Sequence, residues 1–304
     1  MKGGSEMERQ SPEELARIIE RIDAIEEKRP SHKEVLEFLK GIVTEQYEVK
    51  EQIKVEPIDI KEDMVKLKIR EGFPLVDKKE LKLDMESATR LFKRLCNVVR
   101  KRNDKIADDV KKINEALDEG ELDLEKLFEK VVAEDEEYLD AAAEKLELNQ
   151  GLLLFLAKNS INPVLEAYAD QLKGYIDQKK WWKGYCPICG SKPIIAALRK
   201  KEGERFLLCS SCGFEWRFSR MKCPFCGNQE REGHKYFYIE KEDKGYRVDV
   251  CKKCKKYIKT IDTREMFEDV VLPVEDIGTL HLDIIAQKEG YEREVANILN
   301  VSLK

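Results

Sequence analysis

The chain contains no run of about 18 apolar residues, so no membrane-spanning helix is expected. Its strongest apolar run, LLLFLA between Gly151 and Lys158, is short and reads as a buried helix segment. The stretch MKGGSEMERQSPEEL lacks an apolar core, so no secretory signal is expected and a cytoplasmic location follows. Glycine and proline are sparse, at 16 and 9 of 304 residues. With 42% hydrophobic and 38% charged residues, the composition is globular and long enough for two domains.

Cysteine is the residue that is present in a pattern. Eight of the nine cysteines form four Cys-x-x-Cys pairs, Cys186/Cys189, Cys209/Cys212, Cys223/Cys226 and Cys251/Cys254. In a reducing compartment this spacing favours metal ligation over disulfides. The gaps between pairs are 19, 10 and 24 residues. Gaps near 20 suit a zinc ribbon, because a strand, a turn and a returning strand fit between two knuckles. The middle gap holds Phe214, Trp216 and Phe218 alternating with polar residues, which reads as a strand with one aromatic face. Such a strand carries the chain about 20 Å from one knuckle to the next and reads as the joint that fixes the two modules relative to each other. Sequential pairing follows: Cys186, Cys189, Cys209 and Cys212 around one ion, and Cys223, Cys226, Cys251 and Cys254 around another. Use of all eight thiols leaves no open coordination position, which disfavours metal-centred hydrolysis. Spacing does not separate zinc from iron, since both take four-sulfur tetrahedra.

The first 178 residues read as helical. Ser11-PEEL carries an N-cap, a proline at the first helical position and a first-turn glutamate, followed by Leu15, Ile18, Ile19, Ile22 and Ile25 at helical spacing. Ser31 with Glu34 forms a capping-box pattern for a second helix. Met64-VKLKI alternates and is expected as a short strand or an extended arm on the helices. Helical periodicity returns at 86–103, 105–118, 122–146 and from 149, with Asn162-Pro163 expected to break or restart the last helix. After Trp181 short aromatic and β-branched runs alternate with knuckles and turns, the signal of hairpins. A last helix is expected from Val274, ending at Gly290.

Trp182-KGYCPICGSKP, Leu208-CSSCGFEW, Arg220-MKCPFCG, Cys251-KKCKKYIKT and Asp276-IGTLHLDIIAQKEGY together resemble the formate dehydrogenase accessory protein family FdhE. The resemblance covers about residues 180–292. It implies a helical N-terminal domain, two rubredoxin-like modules able to bind iron, and a cytoplasmic protein that is not itself an enzyme. It further implies binding to the catalytic subunit of respiratory formate dehydrogenase, and a need for this protein in that enzyme's activity. The expected fold is α+β: an all-α domain (1–178), two small rubredoxin-like or zinc-ribbon β modules (179–219 and 220–265), and a C-terminal helical segment (266–304). The expected cofactors are two metal ions, iron or zinc, on the eight paired cysteines, with no catalytic residue.

Charge opens one alternative. From Lys179 to Lys259 there are 21 Lys and Arg against 9 Asp and Glu, a net of +12, so the remainder carries −17. Two tetra-thiolate sites with divalent metal, at about −2 each, still leave this region basic. A basic region accepts an acidic protein surface or, as the alternative reading, a nucleic acid. A small redox protein with rubredoxin-type iron is a third reading. Lys252, Lys253, Lys255 and Lys256 around the last knuckle are either a solvated turn or a dock for an acidic segment. Cys96 reads as a buried small apolar residue, and His281 as a structural or surface histidine rather than a ligand. Asp276 and Asp283 lie near one another on a helical face and read as a cap or interdomain contact. Trp181 and Trp182 are expected at the domain junction. The sequence does not set the oligomeric state.

Overall fold

A computed structural model describes residues 12–239, 245–266 and 269–297. The expected N-cap at Ser11 lies outside these residues. The helical part comprises α1 (Pro12–Lys28), α2 (Lys33–Lys50), α3 (Glu62–Glu71), α4 (Met85–Val99), α5 (Asp104–Asp118), α6 (Leu124–Val132), α7 (Glu136–Lys145) and α8 (Gln150–Leu172). The β layer comprises β1 (Pro193–Arg199), β2 (Glu204–Cys209), β3 (Glu215–Phe218), β4 (His234–Phe237), β5 (Tyr246–Cys251) and β6 (Lys256–Asp262). It is followed by α9 (Leu272–Gly278), α10 (Leu280–Lys288) and β7 (Glu292–Arg293). The architecture is α+β, with the helices first and both cysteine clusters in the β layer.

Helix starts follow local chemistry. The side chains of Asp84, Asn103, Asp123 and Asp135 each accept the amide hydrogen of the residue three positions on, satisfying a donor that the helix leaves free. Asp135 in this role splits the expected 122–146 helix into α6 and α7, with Glu134 at φ 58° in between. The capping box at Ser31 does not form. Pro30–His32 make a 3-10 turn, and Glu34 pairs with Arg102 at 2.9 Å. The segment 64–69 is neither strand nor arm but helix α3, in which Val65 and Ile69 turn inward one turn apart. Glu62 and Asp63 in its first turn, with Lys68 and Arg70 in its last, suit the helix dipole. Residues 53–61 are the extended arm instead, tied down by Lys54 N–H to Asp84 and Ile58 N–H to Gln171.

Pro163 does not break α8. A proline at this position leaves the Asn159 carbonyl without its helical donor. Gln46 Nε2 on α2 supplies a replacement at 2.9 Å, and the helix runs through. The expected single C-terminal helix is divided at Thr279, where the chain leaves helical geometry (ψ 31°). The Asp276 carbonyl there accepts Lys259 Nζ at 2.5 Å, and Thr279 Oγ1 bonds back to the Glu275 carbonyl at 2.6 Å. Gly290 ends α10 at φ 80°.

The strands form one seven-stranded sheet in the order β3-β2-β1-β6-β5-β4, with β7 added to β6. Neighbours along that order are antiparallel except β1 and β6, which run parallel through Ala196↔Thr260, Ala197↔Ile261 and Leu198↔Asp262. The joint between the two cysteine regions is therefore this central pairing. The aromatic strand 214–218, which bridges the two regions in sequence, lies as β3 at an edge. One core cluster joins the helices to the first cysteine region: Leu36, Phe92 and Phe128 belong with Cys186, Cys212 and Trp216. A second cluster packs Val248, Tyr257 and Ile261 beneath Leu272, Leu282 and Ala286.

Candidate metal centres

Each knuckle folds by its own backbone bonds. Cys186 N–H, Cys209 N–H and Cys223 N–H donate to the carbonyls of Ser191, Phe214 and Asn228, five residues on. Gly190, Gly227 and Lys255 donate back to the carbonyls of Cys186, Cys223 and Cys251. The residue after the second cysteine takes a positive φ in all four knuckles, 77°, 65°, 73° and 58°. Glycine supplies it three times and Lys255 once, so the fourth knuckle alone carries a side chain in that strained position.

These turns bring all eight paired cysteines into two groups in chain order. In the first, Cys186, Cys189, Cys209 and Cys212 have sulfurs within 4.8 Å of one another, with near pairs at 3.5–3.6 Å. In the second, Cys223, Cys226, Cys251 and Cys254 do the same, with near pairs at 3.7 Å. Disulfide bonds need about 2.05 Å. A tetrahedron with metal–sulfur bonds of about 2.3 Å has edges of about 3.8 Å. The donor set therefore fits one four-coordinate ion per cluster, and each cluster can hold a metal. Amide hydrogens of Ser211 and Cys212 point at the Cys209 sulfur at 3.4 and 3.5 Å, which tempers charge there. The neighbouring thiols of Cys186, Cys209 and Cys212 hold the Cys189 pKa well below its ordinary value. Burial pushes Cys186 well above its own.

The surroundings of the two clusters differ. All four sulfur residues of the first are buried, whereas Cys226 is exposed and Cys254 half-exposed in the second. Helical-domain backbone closes over the first: Leu75 N–H and Val76 N–H donate to the carbonyls of Pro187 and Ile188 at 2.8 and 3.0 Å. Tyr185 Oη donates to the Gly72 carbonyl at 2.7 Å, and Trp216 Nε1 to the Lys183 carbonyl at 3.1 Å. The two regions meet at Gly184, where an added Cβ would lie 1.8 Å from the Pro224 carbonyl oxygen.

The remaining sequence candidates fall into place around this frame. Trp181 and Trp182 separate: Trp181 is 1% exposed and donates to the Tyr185 carbonyl, while Trp182 is 42% exposed beneath Arg217. Asp276 and Asp283 are buried contacts to the sheet. Lys259 Nζ reaches Asp276 Oδ1 at 2.9 Å and Asp283 Oδ2 at 2.6 Å, and Arg293 bridges both from the other side. Sequence reading did not find Lys259 or Arg293 as their partners, nor the neighbouring buried trio Arg21, Glu275 and Tyr246. Lys259 and Glu275 stand as charges inside the apolar runs YIKTI and VLPVEDI, whereas Arg21, Tyr246 and Arg293 carry no such signal. Burial pushes the Cys96 thiol up to about 12, in keeping with a core position. His281 packs its ring against His32, centroids 5.6 Å apart. Lys256 pairs with Glu294 at 3.0 Å, and Lys255 lies over Tyr291, while Lys252 and Lys253 face solvent. A further acidic trio, Asp23, Glu26 and Glu37, is served by Lys40 and Lys33. No helix among the described residues is long and apolar enough to cross a membrane.

A helical body bearing a β layer with two four-sulfur clusters defines a two-centre tetra-cysteine protein. Residues 185–220 match the model for the FdhE central domain, and residues 221–300 that for the FdhE C-terminal domain. An FdhE homologue of Aquifex aeolicus is 30% identical over 303 residues, covering 97% of this chain and 99% of that protein. The FdhE homologue of Stutzerimonas stutzeri is 32% identical over 117 residues, 38% of this chain and 37% of its own. The crystal structure of the FdhE protein from Pseudomonas aeruginosa has the same fold, with a TM-score of 0.64 at 19% identity over 94% of each chain. The chain belongs to the FdhE family.

Proposed function

We propose that this protein is a cytoplasmic accessory factor that binds the catalytic subunit of respiratory formate dehydrogenase and is needed for its activity. One metal ion, iron or zinc, sits in each cluster, held by Cys186, Cys189, Cys209 and Cys212 and by Cys223, Cys226, Cys251 and Cys254. The chain divides into a helical domain (1–178), two metal modules (179–219 and 220–265) and a closing segment (266–304), and it is not an enzyme. The observation that carries this reading is the pair of four-sulfur clusters in a chain that matches a family member along nearly its full length. Four thiolates per ion leave no position for a reacting water, which favours a binding role over catalysis. The exposed Lys252 and Lys253 beside the second cluster suit an acidic docking surface. A nucleic acid is the weaker partner. Stacking bases need free aromatic faces, and Arg217 and Arg247 lie over one face each of Trp182 and Tyr236, two of the four exposed aromatics among the described residues, at 5.3 and 5.0 Å.

Anaerobically purified protein retaining the formate dehydrogenase catalytic subunit at low salt is the expected result. Absence of retention by fully metal-loaded protein removes the proposal. Metal analysis with an absorption spectrum on the same sample separates iron from zinc, and two ions per chain are expected.

A further inference from the structure

Arg205 is the one residue of the first cysteine region whose charge is buried against the second. It lies on β2, 4% exposed, and reaches across the joint. Its Nη1 donates to the carbonyl of Lys222, the residue before Cys223, at 3.3 Å. Among the described residues its Nε and Nη2 have no hydrogen-bond partner, and the nearest carboxylate oxygen, Asp249 Oδ2, is 3.8 Å from Nη2. Asp249 is itself engaged by Thr260 Oγ1 at 2.7 Å and Arg247 at 3.0 Å. A buried guanidinium with two idle donors is costly unless some other negative charge faces it.

The charge it faces is the second cluster. Arg205 shares with Cys223 and Cys251 a small, partly open cavity of about 20 Å³, which Lys222, Phe225, His234, Asp249 and Lys256 also line. Cys223 and Cys251 are the two buried sulfur residues of that cluster, each 3% exposed. Burial disfavours the arginine's charge, with Arg247 and Arg220 adding repulsion, and attraction to Asp249 and to the Cys223 sulfur offsets part of that cost.

We propose that Arg205 is the buried counter-cation of the second tetra-cysteine site, a residue of the first module that sets how firmly the second holds its metal. A divalent ion in four thiolates carries about −2, and a fixed positive charge on the dry side offsets the cost of enclosing it. Retention at the second site then depends on the docking of β2, so the two modules are electrostatically linked as well as hydrogen-bonded through β1 and β6. This rests on the reading that both clusters hold metal.

The test uses the full chain loaded with two zinc ions and treated with excess EDTA. Freed thiols are trapped by alkylation and mapped by peptide. Arg205→Gln keeps a donor and loses the charge. It is expected to speed alkylation of Cys223, Cys226, Cys251 and Cys254 by about tenfold or more, with the first cluster unchanged. Arg205→Lys keeps the charge and should stay near wild type. Asp249→Asn removes the competing anion and should slow release from the second cluster, the opposite of what simple structural damage gives. Equal rates in Arg205→Gln and wild type overturn the proposal, as does equal acceleration at both clusters. Faster release in Asp249→Asn overturns it too, and that variant decides the matter should Arg205→Gln fail to fold. A wild-type chain that does not hold two zinc ions contradicts the metal reading itself, and this inference with it.

Discussion

The two tetra-cysteine clusters share a knuckle and differ in everything around it. Cys186, Cys189, Cys209 and Cys212 are part of the same packed core as the helices, closed over by the backbone of residues 72–76. Cys223, Cys226, Cys251 and Cys254 stand outside both apolar core clusters, with Cys226 in solvent. Identical ligand chemistry is thus placed in two mechanical roles. The first cluster ties the β layer to the helical domain, so its loss damages both. The second is joined to the first through β1–β6, the Gly184–Pro224 approach and Arg205, and its strand β5 is held to helix α1 separately by Arg21, Tyr246 and Glu275, so its loss stays local.

The largest expected break comes from Cys209→Ser. Removing a ligand there should empty the first cluster and expose part of the shared core, costing several kcal/mol and lowering the melting temperature by about 10 °C or more. Cys226→Ser should empty only the second cluster, with a much smaller shift in a thermal scan. Equal shifts would erase the contrast. Next is Lys259→Met, which leaves Asp276 and Asp283 short of a buried cation. About 3–5 kcal/mol of stability should go, read by urea denaturation, with amide protection lost first in 272–297. Acid probes the same network. Burial works against the Asp276 carboxylate, but Arg293 and Lys259 hold its pKa below the ordinary value. A depressed folded-state pKa adds stability that is present above the unfolded value and lost as pH falls through the folded one. Protection of α9 and α10 should therefore fade only below about pH 4, and fading nearer neutrality would contradict the ion network.

Smaller still is Gly184→Ala. Its Cβ would drive Pro224 away, at about 1–3 kcal/mol, and should loosen metal in the second cluster while sparing the first. At the bottom of the scale, Lys252→Glu with Lys253→Glu should change stability by no more than about 0.5 kcal/mol. The same pair should weaken capture of an acidic partner, and unchanged capture would remove these lysines from the interface.

Much of this contrast was not legible in the sequence. The clusters were, because a Cys-x-x-Cys turn is a local structure and a strand between knuckles two and three leaves only sequential grouping. What escaped was long-range compensation. Pro163 looked like a breaker because its rescue, Gln46, lies more than a hundred residues away. The 274–290 helix looked continuous because Lys259, which takes the Asp276 carbonyl at the break, sits on a strand. Met64-VKLKI has an alternation that fits a strand as well as the 65/69 pair fits a helix, so periodicity alone could not decide it. The parallel β1–β6 pairing has no local signature at all, which is why the edge strand β3 looked like the joint.

The order in which the clusters empty tests the central claim most directly. Protein holding two metal ions is exposed to a chelator, and its freed cysteines are alkylated and mapped over time. The account predicts that Cys223, Cys226, Cys251 and Cys254 are labelled as a group while Cys186, Cys189, Cys209 and Cys212 remain protected in a folded one-metal intermediate. Simultaneous labelling of all eight, or labelling of the first cluster before the second, would contradict it.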